Sequence, residues 1–156
     1  VAWSASKIFR AYVKDVIDNT TAMDLGADVP KASLHNNSIT PDQDVASASS
    51  AFNAGVWTTT NEVTDATNWV SGGRALASTS LDASVAGTVF YDAADTAGGG
   101  TVTISGAFGT LVYDDTITTP VADQGICFNY FGGTQSVTAG TFTIVWHANG
   151  IFRITL

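Results

Sequence analysis

The sequence predicts a mainly β chain: an antiparallel β-sandwich or barrel-like body with one short N-terminal α-helix and a long loop-rich segment. Three observations predict it. From Gly73 onward, short runs of alternating apolar and polar residues are separated by glycine-containing turns. The bulk of the chain is Thr, Ser, Ala, Gly, Val and Asp, which favour strands and turns. Only one stretch, near the N-terminus, has a helical period. At 156 residues the chain suits a single domain whose core needs no disulfide or metal staple. The expected layout is a helix within 1–22, a loop-rich arm at 36–72 and a strand-rich body at 73–156.

The helix is expected from Ser6 to Asn19. Phe9, Tyr12, Val13, Val16 and Ile17 fall at i, i+3, i+4, i+7 and i+8, forming one apolar stripe. Ser6 is placed to cap its start, and Asn19-Thr20-Thr21 ends the pattern with poor helix formers. Lys7, Arg10 and Lys14 share a second face and carry half of the basic charge. After a turn, Lys31 to His35 reads as a strand entered through Pro30, where no ladder donor is required. Residues 36–72 are polar, with scattered Phe52, Trp57 and Trp69. So long an irregular stretch suggests a functional loop or a binding arm.

The body then reads strand by strand. Arg74–Leu81 and Gly87–Asp92 come first, then Thr101–Ser105 after the Gly98-Gly99-Gly100 turn, then Phe108–Asp114. Ile126–Phe131 runs to an expected turn at Gly132-Gly133, with a short Gln135–Val137 strand beyond it. In Thr141–His147, the side chains of Phe142, Ile144 and Trp146 face one way. Asn149-Gly150 is the strongest hairpin signal. It leads into Ile151–Leu156, where Phe152, Ile154 and Leu156 share a face, and both ends of the sequence are expected to belong to the folded body.

Composition excludes several classes of function. Fourteen acidic and six basic residues give a net charge of −8, which repels nucleic acid. The charge is uneven: residues 1–31 sum to zero and the rest carry the whole −8. Charged residues make up 13% against about 25% in ordinary domains, and 45% are hydrophobic, which argues against disorder. No run is long enough to span a membrane. The start lacks the basic-then-apolar order of a signal peptide, so a soluble, unsecreted protein with no membrane partner is expected. Cys127 is the single cysteine and reads as a small buried hydrophobe.

Chemistry is sparse. His35 reads as a strand-end residue and His147 as a half-exposed strand residue. No Cys/His spacing suits zinc. Asp42/Asp44, Asp92/Asp95 and Asp114/Asp115 sit beside turn residues, where Asp is usually a turn former. Calcium is the sharper alternative, but the ordered calcium-loop pattern is absent. Gly98-Gly99-Gly100-Thr101 has neither the Lys nor the helix of a phosphate loop, and no serine lies in G-x-S-x-G. No catalytic residue and no cofactor are expected. What remains are candidates for partner contact: Trp3, Trp57 and Trp69 as aromatic anchors, and Lys7, Arg10 and Lys14 as a basic face.

Several blocks, in order, resemble a family. Thr60-Asn61-Glu62-Val63 followed by Trp69-Val70-Ser71-Gly72-Gly73-Arg74-Ala75-Leu76 resembles a T-N-E-V…G-Y-x-x-G-G-x-x-L motif of tailed-bacteriophage virion proteins. Asp28-Val29-Pro30-Lys31-Ala32-Ser33-Leu34 is similar to that family's D-x-x-K-x-x-L strand. Leu111-Val112-Tyr113-Asp114-Asp115 with Thr118-Thr119-Pro120 is similar to its Y-D strand and loop. Gly140-Thr141-Phe142-Thr143-Ile144-Val145-Trp146 and Gly150-Ile151-Phe152-Arg153-Ile154 resemble its closing block, the most specific part. The sequence departs from the pattern at Trp69, where Tyr after Gly is commoner, and at Pro30.

The resemblance implies a non-enzymatic structural role: a capsid decoration or minor capsid protein on the outside of a siphophage shell, assembled in the host cytoplasm. The implied partners are the major capsid protein lattice and further copies of the chain, as a trimer or dimer. Lys7, Arg10 and Lys14 would turn toward an acidic shell. Two alternatives stay open: a minor tail or fibre protein binding a host surface through aromatics such as Trp57, and a free carbohydrate-binding β-module.

Overall fold

The structure, a computed structural model, describes residues 3–18 and 23–156. It is mainly strand, arranged in several antiparallel sheets. No barrel closes among the described residues. The centre is a long antiparallel pair, β8 (Val102–Tyr113) and β9 (Gly125–Gly140). β2 (Lys31–His35) extends this pair on the β8 side, and β1 (Lys7–Ile8) on the β9 side. β3 (Glu62–Val63) and β4 (Arg74–Ala75) both pair with β2, completing a six-stranded sheet. A three-stranded sheet holds β11 (Phe152–Thr155), β6 (Thr88–Asp92) and β5 (Ser80–Asp82) in that order. β7 (Thr96–Ala97) and β10 (Thr143–Ile144) form a small two-stranded sheet.

The N-terminal helix, α1 (Arg10–Asp18), starts four residues later than its periodicity suggests. Lys7 and Ile8 pair with Phe128 and Cys127 instead. The Ser6 hydroxyl accepts the Tyr130 N–H at 2.9 Å, and the Phe9 N–H reaches the Ile126 carbonyl at 3.1 Å. A sheet edge offers these residues ready partners, whereas a first helical turn pays a nucleation cost. The expected end at Asn19-Thr20-Thr21 lies outside the described residues.

Two glycine signals mean something other than the expected turns. Gly132-Gly133 does not end a strand; β9 runs through it. Between the pairs Ala107↔Gln135 and Gly109↔Tyr130, β8 takes two residue steps and β9 takes five. The surplus is a bulge, and Gly132 adopts φ +80°. Asn149-Gly150 does turn the chain, with the Gly150 N–H on the His147 carbonyl at 2.7 Å. The strand after it joins β6 and not β10, because the Ile151 N–H takes the Tyr91 carbonyl at 2.7 Å. The expected strand Arg74–Leu81 is broken into β4 and β5, with Ser78 at φ +50° between them.

Residues 36–72 are loop-rich as expected, but they are no projecting arm. Besides β3 they hold only the one-turn α2 (Ser47–Ser50). Yet Ile39, Ala51, Trp57, Val63 and Trp69 are buried in the core. Asx turns supply backbone partners: the Asn36, Asp42 and Asp65 carboxamide or carboxylate oxygens accept the N–H groups of Ser38, Asp44 and Thr67 at 2.8–3.0 Å. Phe52 stacks on Tyr113 with ring centres 4.9 Å apart.

Candidate interaction surface

The three tryptophans expected at an interface are interior. Trp3, Trp57 and Trp69 are fully buried. The Trp3 and Trp57 rings meet edge-on with centres 5.7 Å apart, and Phe9 and Phe128 close the cluster. The Trp3 indole N–H donates to the Asn36 carbonyl at 2.9 Å. Trp69 packs edge-on against Phe142 at 5.5 Å. A large apolar ring without local periodicity went inward because other aromatics from distant strands were there to receive it. Trp146 occupies the core, as its strand alternation predicts.

The basic face is likewise dispersed. Lys7 lies on β1, so it does not share a helix face with Arg10 and Lys14. Arg10 pairs with Asp44 at 3.4 Å, and Lys14 pairs with Asp18 one turn on and with Asp15 at 3.7 Å. Acidic neighbours thus cancel two of the three positive charges.

The two histidines lie in different settings, one buried and one exposed. His35 is buried, with Nε2 and the Ser33 hydroxyl 3.0 Å apart and its ring edge-on to Trp57 at 5.1 Å. Burial lowers its pKa to about 3, opposed in part by the Asn61 carbonyl, so it stays neutral at physiological pH. His147 is exposed, and its Nδ1 accepts the Asn149 N–H at 3.0 Å. Cys127 is buried in apolar surroundings that push its thiol pKa up and away from thiolate chemistry. No three His, Cys, Asp or Glu side chains gather as metal ligands among the described residues.

All the motif blocks but the closing one come together around β2. Lys31 pairs with Asp115 at 2.7 Å and lies opposite Tyr113 in register. Glu62, on β3, accepts the Ser71 hydroxyl at 2.6 Å and the Gly72 N–H at 2.8 Å, so its carboxylate holds the turn that enters β4. Gly73 sits at φ +77°, and a Cβ there would run into the Ala32 carbonyl. The Tyr113 hydroxyl donates to the Gly72 carbonyl at 2.7 Å. Trp69, inside the same block, meets Phe142 of the closing block. Outside the closing block, whose strands lie in the two smaller sheets, the motif residues form a structural junction of the six-stranded sheet.

The surface that asks for a partner lies elsewhere, and of the motif blocks only the closing one reaches it, through Phe152 and Ile154. Between α1 and the β11–β6–β5 sheet runs an open apolar groove of about 420 Å³. Its floor is Tyr12, Leu25 and Phe152, all buried. Its rim is bare: Val16 is 44%, Ile17 80%, Leu81 53% and Leu156 88% exposed. Among the described residues, Asp24 is the single charged one in its wall. The single apolar stripe read from the sequence is thus split, with Phe9 and Tyr12 inside and Val16 and Ile17 open. The inner side of α1 is instead anchored by Asp15, buried, which accepts the Ser47 hydroxyl at 2.5 Å and the Gln124 side-chain amide at 2.9 Å. The signal in the sequence was the shared face of Phe152, Ile154 and Leu156, taken together with the helix stripe. Sequence alone does not bring the two together. A larger cleft, about 580 Å³ between β9 and β10, is lined by hydroxyl and amide groups as well as rings, with Val145 as its one strongly exposed aliphatic side chain among the described residues.

No family model, curated protein or solved structure matches this chain. No helix among the described residues is long and apolar enough to cross a membrane.

Proposed function

We propose that this chain is a non-enzymatic structural protein of a bacteriophage particle, bound to the outside of the capsid lattice and stabilising it. The order of motif blocks along the sequence suggests the class. The observation that carries the reading is the apolar groove. A chain with a net charge of −8 leaves four large aliphatic side chains bare around one hollow, and such a surface is kept where protein covers it. Its wall is aliphatic and aromatic apart from Asp24, which suits packing and not proton transfer.

The mechanism is additive burial. Each copy contributes a modest interface, and many copies on a closed shell convert modest contacts into avidity. Contact with the shell through Lys7, Arg10 and Lys14 as one basic face loses its support, because Arg10 and Lys14 are paired within the chain. Host-surface binding at a tail through Trp57 loses its platform in the same way, because that ring is in the core.

The test is immunogold labelling of purified particles with antibody to the recombinant chain. Label spread evenly over the heads is the expected result. Label confined to the tail, or absent from particles, would overturn the reading.

A further inference from the structure

We propose that the groove between α1 and the β11–β6–β5 sheet is closed by a second copy of this chain, docked about a two-fold axis. The proposal deepens the reading of the groove as a protein-covered surface and rests on it.

Shape comes first. A two-fold contact uses the same patch on both partners, so the patch must hold both the projections and the hollow they fill. This one does. Ile17 and Leu156 project, at 80% and 88% exposure, beside a hollow of about 420 Å³ floored by Tyr12 and Phe152. That volume accommodates a few aliphatic side chains, which is what the opposite rim offers.

Area comes second. The four rim side chains expose on the order of 500 Å², near the top of the range a monomer's largest apolar patch reaches. A standard interface buries about 800 Å² per partner. The partly exposed walls at Val13, Met23, Val89 and Ile154 continue the patch toward that figure.

Charge comes third. A basic partner would find one carboxylate, Asp24, in the groove wall. Two copies instead meet through a nearly uncharged patch while their bodies repel at −8 each. Salt screens that repulsion. A self-contact here therefore tightens as salt rises, whereas docking of a basic protein would weaken.

Sedimentation velocity over a concentration series, at low and at moderate salt, tests the proposal. A monomer–dimer equilibrium that tightens with salt is expected. Ile17→Asp and Leu81→Asp should each raise the dissociation constant by roughly a hundred-fold, since each buries a charge in an apolar contact. Val145→Asp, at an exposed apolar position outside the groove, should leave the equilibrium unchanged. Circular dichroism and thermal melting establish that the variants are folded. A strict monomer at all concentrations, a trimer, or equal loss with Val145→Asp would overturn the proposal. A monomer that still labels phage heads would remove the dimer and leave the capsid reading standing. A dimer that labels no particle would do the reverse.

Discussion

Residues 36–72 and the outer face of α1 handle apolar surface in opposite ways. The first region has almost no regular structure, yet it drives Trp57, Trp69 and Ile39 fully into the core. Asx turns and bonds to neighbouring strands give its backbone partners as the irregular chain travels inward, although the buried Trp69 indole N–H finds none. The second region is a regular helix with a clear stripe, yet it leaves Val16 and Ile17 in water. Regularity and burial are separate properties. A helix presents its stripe to whatever stands opposite, and among the described residues the wall across the groove leaves Val16 and Ile17 open.

Paired substitutions should expose the contrast most strongly. Trp57→Ala removes the ring shared by Trp3, Phe9, Phe128 and His35, and should cost about 3–5 kcal/mol of unfolding free energy. Ile17→Ala should change the stability of the dilute monomer by no more than about 0.5 kcal/mol. Urea denaturation of both variants is the check, and losses of similar size would break the comparison.

Within the packed region, the junction at β2 has its own ranking. Gly73→Ala forces a Cβ toward the Ala32 carbonyl at a positive φ and should cost roughly 2 kcal/mol or more. Glu62→Gln keeps the shape but weakens the charged acceptor that holds Ser71 and Gly72, for a loss of about 1 kcal/mol. The same denaturation series orders them, and a Glu62→Gln loss exceeding that of Gly73→Ala would contradict the assignment of strain to Gly73.

The core also carries a pH dependence. Burial lowers the His35 pKa from 6.5 to about 3, so its contribution to stability is complete above pH 6.5 and is lost as pH falls toward 3. Burial, and then the neighbouring Asp28, raise the Asp114 pKa from 3.8 to about 6. Its contribution is complete below pH 3.8 and is lost as pH rises through 6. The two slopes oppose each other between pH 4 and 6. Asp114→Asn removes one of them, so the variant should lose stability more steeply on acidification than the parent. Melting temperatures at pH 4, 5 and 6 read this directly, and an unchanged profile would remove Asp114 from the balance.

Much of the strand content was legible in sequence because alternation is local. β2 appears with its expected bounds, and Phe142, Ile144 and Trp146 face inward as their spacing requires. Signals that depend on distant partners were misleading. Gly132-Gly133 looks like a turn from its own residues, but the long reach of β8 opposite turns it into a bulge. Asn149-Gly150 looks like a hairpin until Tyr91 claims the next strand. Lys7 fits a helix until β9 offers it an edge. The groove was legible only in halves, a helix stripe and a strand face more than 130 residues apart, and nothing local says that they meet or that they stay uncovered.

Whether the groove is covered in the assembled particle is the most direct question. The single native cysteine, Cys127, is buried, so Ile17→Cys places one reactive thiol at the rim against a silent background. Its rate of maleimide labelling is to be compared between the dilute free chain and purified particles. Fast labelling in solution and protection in particles is the expected result. Equal rates in both would contradict the assignment of the groove as a protein-covered surface.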